Sequence, residues 1–516
     1  MPNPNEKLAA SLAALQELQT GGRRVFRSRD LSRAHRERLL RSGFLQEAMK
    51  GWLISSSPGA QEGDSTPWYA SFWEFCARYC QDRFGAAWHL SPEQSVFLYA
   101  QNTVIPTQVV VYSRKGTNHT TNLIFGTSLY DLKQPETPPA PDLAVQDGLR
   151  LFAPAAALVK VAESFFTRHP IETQVVLSGI REASDVVRIL LNGGHSAKAG
   201  HIAGAFRRIG RPRIASEIVG TMKAAGYDVR ETDPFAPACK FGILPARTAP
   251  IVGRMRAVWE SMRGAIVETF PKAPGLPRNK QAYLRLLDDL YKSDAYHSLS
   301  IEGYSVTPAL VESVQTGNWD PDRHADDRRS RDALAARGYW QALRKVKETV
   351  GRAIAGGNAA ALARTAHKEW YRELFQPCVA AGLIRAGALA GYRNDAVYLP
   401  SRYVPPRWEA VRDAMPALFD LLEHEPEPGV RAVLGHWLFG YIHPYPDGNG
   451  RIARFLMNAM LASGGYPWTV IRVEDRNSYL AALDRASIDM NIEPFAAFIG
   501  ARVRRAMRQA TAKAPA

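Results

Sequence analysis

Twelve consecutive residues, His443-Pro444-Tyr445-Pro446-Asp447-Gly448-Asn449-Gly450-Arg451-Ile452-Ala453-Arg454, hold almost every group needed to handle a polyphosphate. His443 is an imidazole whose pKa suits a general base near neutral pH. Asp447 is a hard oxygen ligand of the kind Mg²⁺ takes once or twice from a protein, leaving its other positions to water and phosphate. Gly448-Asn449-Gly450 lets successive N–H groups fold into a nest for an anion. Arg451 and Arg454 lie three apart, so on a helix both face the same point. A base, a metal carboxylate, a nest and two arginines in working order make a phosphoryl-transfer site.

Two helices must position these groups. The apolar run AVLGHWLFGYI before His443 predicts a helix that delivers the imidazole to a loop, and residues 451–462 predict a second. The N-terminus of the second helix adds partial positive charge toward the same anion.

The segment matches the motif H-x-F-x-[D/E]-G-N-G-R-x-x-R of the Fic family at every functional position, with Tyr445 replacing the usual Phe in a packing role. The resemblance extends over about residues 250–505. It implies a protein adenylyltransferase that moves AMP from Mg-ATP to a Tyr, Thr or Ser hydroxyl of a protein target or of itself. In that reading His443 takes the hydroxyl proton and Asp447 holds Mg²⁺. Gly448, Asn449, Gly450 and Arg451 form the anion hole, and Arg454 reaches the γ-phosphate. The related Doc kinases replace the GNG element, so the intact GNGR favours AMP transfer over phosphorylation. Arg476-Asn477-Ser478-Tyr479 resembles the family's R-x-x-Y element and makes Tyr479 a candidate for the nucleotide pocket, with a core tyrosine as the alternative. AGYRNDAVYLPSRYVPP at 390–406 resembles the family's flap, a β-hairpin carrying Val397, Tyr398 and Leu399 on which an extended target segment docks by strand addition. Ser298-Leu299-Ser300-Ile301-Glu302-Gly303 matches the inhibitory motif [S/T]-x-x-x-E-[G/N]. A carboxylate at Glu302 paired with Arg454 would withhold that arginine from ATP. Some members use this glutamate to remove AMP, so the resemblance also admits a reverse reaction.

The N-terminal half reads differently. Residues 7–18, 28–31 and 32–42 predict three short helices, with Ser32 an N-cap and Gly43 a stop, and 44–55 predicts two strands turning at Lys50-Gly51. That order is a winged helix-turn-helix, with Arg33, Arg36 and Arg38 as DNA-binding candidates on the helix that would enter the major groove. A solvated arginine-rich face is the alternative. TQVVVYSRK and TTNLIFGTSLYDL predict two strands joined across residues 116–118, and 150–230 returns to helical periodicity. Over residues 1–235 this arrangement resembles the AbiEi family of antitoxins and transcriptional regulators, which adds DNA to the expected partners.

The predicted organisation is multidomain: a winged helix at 1–60, an α+β regulatory region at 61–240, a helical region with the inhibitory motif at 241–340, an all-α catalytic core with a β-hairpin flap at 341–510, and a tail at 511–516. The net charge of +15 favours a polyanionic partner. Cys76 and Cys80 sit four apart in an aromatic stretch and read as buried thiols; with Cys239 and Cys378 they are too few in 516 residues for a disulfide framework. Neither a signal peptide nor an apolar run long enough to span a membrane occurs, which predicts a cytoplasmic protein with no membrane partner. A regulator whose nucleotide-binding domain senses ATP or modifies itself is the reading from another functional class. The protein target and the oligomeric state are not encoded in these motifs.

Overall fold

The computed structural model describes residues 3–59, 63–236, 248–317 and 331–513. They form two compact units. One comprises Met1–Arg254 with Tyr398–Val404, the other Met255–Val397 with Pro405–Ala516. The boundary expected near residue 240 falls outside the described residues, as does Cys239.

The N-terminal unit opens with α1 (Pro4–Leu18), β1 (Val25–Arg27), a 3₁₀ turn at Ser28–Asp30, α2 (Arg33–Arg41), β2 (Leu45–Met49) and β3 (Trp52–Ser55). Ser32 caps α2 by accepting the His35 N–H, and Gly43 leaves the helix at a φ of 74°, a conformation glycine adopts without steric cost. The strands form an antiparallel sheet in the order β1-β3-β2. β1 is an addition to the expected elements; three residues are too short to show a period in sequence.

Next come α3 (Thr66–Phe84), β4 (Trp88–Leu90), α4 (Pro92–Tyr99), β5 (Gln108–Ser113), β6 (His119–Asn122), β7 (Ser128–Lys133), β8 (Leu143–Gln146) and β9 (Leu149–Phe152). The sheet order β4-β5-β7-β6 departs from the expected strand pair. The second segment is itself a hairpin, and β5 runs parallel to β7 rather than turning into β6. Phe125 and Gly126, at φ of 53° and 68°, make the turn that splits it. Trp68, Phe72, Phe75, Cys76 and Cys80 on α3 are fully buried against this sheet. Six helices follow: α5 (Pro154–Lys160), α6 (Glu163–Arg168), α7 (Pro170–Gly179), α8 (Ser184–Gly193), α9 (Ser196–Arg208) and α10 (Pro212–Ala224), packed around a core of their own. Pro212 starts α10 at the first-turn position where a missing N–H costs nothing.

The C-terminal unit is helical among its described residues: α11 (Pro250–Thr269, which begins in the N-terminal unit), α12 (Lys280–Ile301), α13 (Pro308–Thr316), α14 (Arg331–Ile354), α15 (Ala359–Ala380), α16 (Trp408–His424), α17 (Pro428–Ile442), α18 (Asn449–Ala462), α19 (Arg476–Ile488) and α20 (Glu493–Lys513). α17 and α18 are buried along nearly their whole length and form the centre of the unit. The hairpin expected at 390–406 is absent: those residues carry no strand. Pro400, Pro405 and Pro406 remove N–H donors, and the backbone bonds elsewhere, Ile105 N–H donating to Arg402 O at 2.8 Å within the N-terminal unit. No helix among the described residues is long and apolar enough to cross a membrane.

Candidate active site

His443 caps α17 in a left-handed conformation (φ 51°, ψ 60°) that few non-glycine residues adopt. The ring Nδ1 lies 3.2 Å from Gly440 O. A carbonyl can only accept, so Nδ1 carries the proton and Nε2 keeps its lone pair, the tautomer a general base needs. Burial pushes the His443 pKa down to about 4; Arg393 lowers it too, while the bond to Gly440 and the charges of Glu302 and Asp447 work the other way. The imidazole is therefore neutral at pH 7.

Asn449 closes the loop that follows. Its Oδ1 accepts the Tyr445 N–H at 2.9 Å and its Nδ2 donates to Tyr445 O at 2.7 Å. The side chain is a staple for the loop, turned inward and 2% exposed. Tyr445 is fully buried and stacks on Tyr371 with ring centroids 3.9 Å apart. Gly448, at φ 77°, then turns the chain into α18 and leaves its first N–H groups facing outward.

Both arginines of the motif are buried. Arg454 donates to Ser298 Oγ at 2.8 Å, Ser298 O at 3.0 Å and Glu302 Oε1 at 2.8 Å. Burial opposes the Glu302 charge, yet Arg454 and Arg451 outweigh it and keep the carboxyl below its ordinary pKa. A Cβ placed on Gly450 would lie 2.2 Å from Glu302 Oε1, so the carboxylate rests directly on the first turn of α18. The carboxylate of the residue that caps α12 thus lies against the start of α18, held by Arg454.

Arg451 is 1% exposed, with its guanidinium between the rings of Tyr304 (5.2 Å) and Phe375 (5.1 Å) and Asp447 at 3.5 Å. Its Nε and one Nη find no hydrogen-bond partner among the described residues. Buried guanidinium donors without acceptors suit a ligand oxygen. Asp447 itself is 56% exposed, and its Oδ1 accepts the Gly448 N–H. Among the described residues no group of three or more His, Cys, Asp or Glu side chains gathers to hold a metal. One exposed carboxylate beside an anion nest nevertheless fits Mg²⁺, which completes its shell with phosphate and water.

Several supporting groups have no obvious mark in the sequence. Asp294 is four residues before Ser298, on the same α12 face as Ser298 and Glu302. It is 6% exposed and accepts the Tyr339 hydroxyl at 2.7 Å; burial raises its pKa to about 6. Arg393 donates through Nε to His443 O at 2.8 Å, through Nη1 to Asp395 O at 2.9 Å, and also to Pro406 O. Its own N–H binds Pro444 O at 2.9 Å. Tyr479, proposed for the nucleotide pocket, is 2% exposed; its hydroxyl bonds His436 Nε2 at 2.7 Å and also meets Arg454. That places it behind the arginine, as a support.

The remaining candidates are not gathered here. Tyr398 and Leu399 cluster with the N-terminal unit, Arg24 lying 4.7 Å over the Tyr398 ring, while Val397 belongs to the C-terminal unit. On α2, Arg38 donates to Lys7 O and Ser11 Oγ, Arg36 donates to Ser28 O, and Arg33 pairs with Glu37 with its side chain 83% exposed. Two of the three expected DNA contacts are therefore committed to the fold.

The helical unit thus brings a neutral imidazole at the end of one helix beside the start of the next, with two buried arginines there, a set of groups whose chemistry suits an anion. Residues 361–461 match the Fic/DOC family. "Protein adenylyltransferase Fic" of Nematostella vectensis is 30% identical over 251 residues, covering 48% of this chain and 55% of the relative. "Protein adenylyltransferase fic-1" of Caenorhabditis elegans is 24% identical over 292 residues, covering 54% and 50%. The chain thus spans about half the length of the curated relatives it matches. A solved fragment, "Fic-1 (aa134 - 508) from C. elegans", aligns over 67% of this chain and 89% of its own with 18% identity and a TM-score of 0.37, a likeness too loose to bear on function. The stretch from His443 to Arg454 lies within the residues that are similar to the Fic/DOC family.

Proposed function

We propose that this chain is a protein adenylyltransferase that uses Mg-ATP, with His443 as base and Glu302 as a built-in inhibitor. The observation that carries the reading is the Glu302 carboxylate lying on the first turn of α18 and bonded to Arg454. A chain that fills an anion nest with its own carboxylate has a nest worth guarding.

In this reading the γ-phosphate displaces Glu302 from Arg454, and Arg451, which is paired only loosely with Asp447 at 3.5 Å, turns its donors to the polyphosphate. Mg²⁺, held through Asp447, would neutralise the phosphate charge. Nε2 of His443 takes the proton from a Ser, Thr or Tyr hydroxyl as its oxygen attacks the α-phosphorus. The bond from that phosphorus to the β-bridging oxygen breaks, and pyrophosphate leaves. The test is transfer of label from α-³²P-ATP to protein by wild type, Glu302→Gly and His443→Ala. Label in Glu302→Gly that vanishes on adding His443→Ala supports the reading. Incorporation from γ-labelled but not α-labelled ATP would replace it with phosphorylation.

A second reading, DNA binding by the AbiEi-like N-terminal region, is favoured by one observation: α2 is followed directly by the β2–β3 hairpin, with Arg33 and Arg29 projecting at 83% and 74% side-chain exposure. Retardation of duplex DNA that weakens with salt and with Arg33→Ala would support it; no retardation at low salt returns the helix to a solvated face.

A further inference from the structure

Away from the nest, the C-terminal unit has a second cavity of about 600 Å³ between α12, the segment after α18, and α20. That volume is within the range that takes a small molecule. Leu286 and Leu290 of α12, with Pro467 and Trp468, make an apolar floor. The rim is cationic: Arg472, Arg505 and Arg508 are exposed there, and the acid among the lining residues, Asp475, is already paired with Arg502 at 2.9 Å. Three like charges around an apolar floor repel one another until an anion joins them.

The cavity also touches the machinery of inhibition. Trp468 bonds Asp294, on the α12 face that carries Ser298 and Glu302. Arg472 and Asp475 flank the two residues that tether the last turn of α12: Val473 donates its N–H to His297 Nδ1 at 3.3 Å, and Arg476 Nε donates to Ile301 O at 2.9 Å.

We propose that this cavity binds a small aromatic anion, a flat apolar body bearing a phosphate or carboxylate, and that its occupant loosens the end of α12 that bears Glu302. The apolar body lies on Trp468 and the α12 leucines, and the anion draws Arg472 toward Arg505 and Arg508. Moving Arg472 shifts the 473–476 turn and with it the bonds to His297 and Ile301, one residue before Glu302. Only the catalytic consequence of this loosening rests on the adenylyltransferase reading.

The experiment is calorimetric titration of the full chain with 1-naphthyl phosphate, followed by hydrogen exchange of residues 296–303 with and without the probe, both in the absence of ATP. Arg454→Ala, which cuts the bonds from that arginine to Ser298 and Glu302, should bind it at least as tightly as wild type, because coupling between the two places is reciprocal. Arg505→Glu with Arg508→Glu should weaken binding by about tenfold or more, since two charge-assisted contacts become repulsions. Exchange in 296–303 should quicken on binding in wild type and not in the charge-reversed chain. Equal affinity in the charge-reversed chain, loss of binding in Arg454→Ala alone, or unchanged exchange at saturation would each overturn the proposal. None of these readouts uses AMP transfer, so failure here is separable from failure of the proposed activity.

Discussion

Arg393 Nε donates to the carbonyl oxygen of His443 at 2.8 Å, and its main chain holds the next carbonyl, that of Pro444, at 2.9 Å. One residue therefore braces the stretch where the backbone leaves α17 in the left-handed region. A non-glycine residue there costs on the order of 1–3 kcal/mol and persists only when its surroundings enforce it.

Arg393→Met should lower kcat of the Glu302→Gly form by roughly tenfold to a hundredfold, with KM for ATP little changed, because the base is misplaced and the phosphate site is not. It should also move the acid limb of the pH–rate profile upward. Burial is the main cause of the low His443 pKa, and the Arg393 charge adds to it. Removing that charge raises the pKa, so the imidazole protonates, and activity falls, at a higher pH. A lowered melting temperature with an unmoved profile would make Arg393 merely structural.

Glu302→Gly should activate the enzyme. A carboxylate bonded to Arg454 must be displaced before a γ-phosphate can take its place, at a cost of about 1–4 kcal/mol over the plausible range of effective dielectric. Lifting that cost corresponds to a gain in self-labelling of roughly fivefold to a thousandfold, read by intact mass after incubation with Mg-ATP. Arg454→Ala should not mimic it, since the phosphate ligand goes with the inhibitor's partner. Equal labelling of wild type and Glu302→Gly would strip Glu302 of its role.

Gly450→Ala gives a different signature. The added methyl would fall 2.2 Å from Glu302 Oε1, so the carboxylate must move off α18. Wild-type stability should drop by about 1–3 kcal/mol, the typical cost of a buried steric conflict. In the Glu302→Gly background most of that loss should vanish. A double-mutant cycle by chemical denaturation measures the coupling, and additive effects would mean the contact is not made in solution.

Asp294 predicts a pH dependence of stability. Its folded-state pKa is raised to about 6 by burial, above the ordinary carboxyl value. The group therefore favours the folded state most at low pH, and that contribution is lost as pH rises from about 4 through 6. Relative to Asp294→Asn, wild type should lose on the order of 2–3 kcal/mol across this window. Melting curves of the pair at pH 4, 5, 6 and 7 give the comparison; a constant gap would place the Asp294 pKa outside that range.

The loop from His443 to Arg454 was legible as a candidate site because its groups are local in sequence. His443 to Arg454 spans one helix end, one turn and one helix start, and spacing alone gathers those groups. The Ser298–Glu302 motif was legible by its resemblance, and its partner Arg454 was named on the same ground, as the arginine the resemblance assigns to the γ-phosphate. Arg393 carried no such mark, because its contact with His443 crosses fifty residues and is set by how the chain returns, which no period encodes. Asp294 could have been found by stepping one further turn back along α12 from Ser298. The parallel β5–β7 pairing and the missing hairpin at 390–406 share one cause: strand propensity says that a segment will be extended and not which edge it will join.

Glu302 lies directly over Gly450, and in the proposed function a substrate phosphate would need that same volume. Two occupants of one space compete, so the fraction of chains ready to react rises with nucleotide abundance and falls with the strength of the internal pair. The resting molecule would then work less as a lock than as a gauge, with its set point written into the Glu302–Arg454 contact and open to adjustment by anything that strains α12.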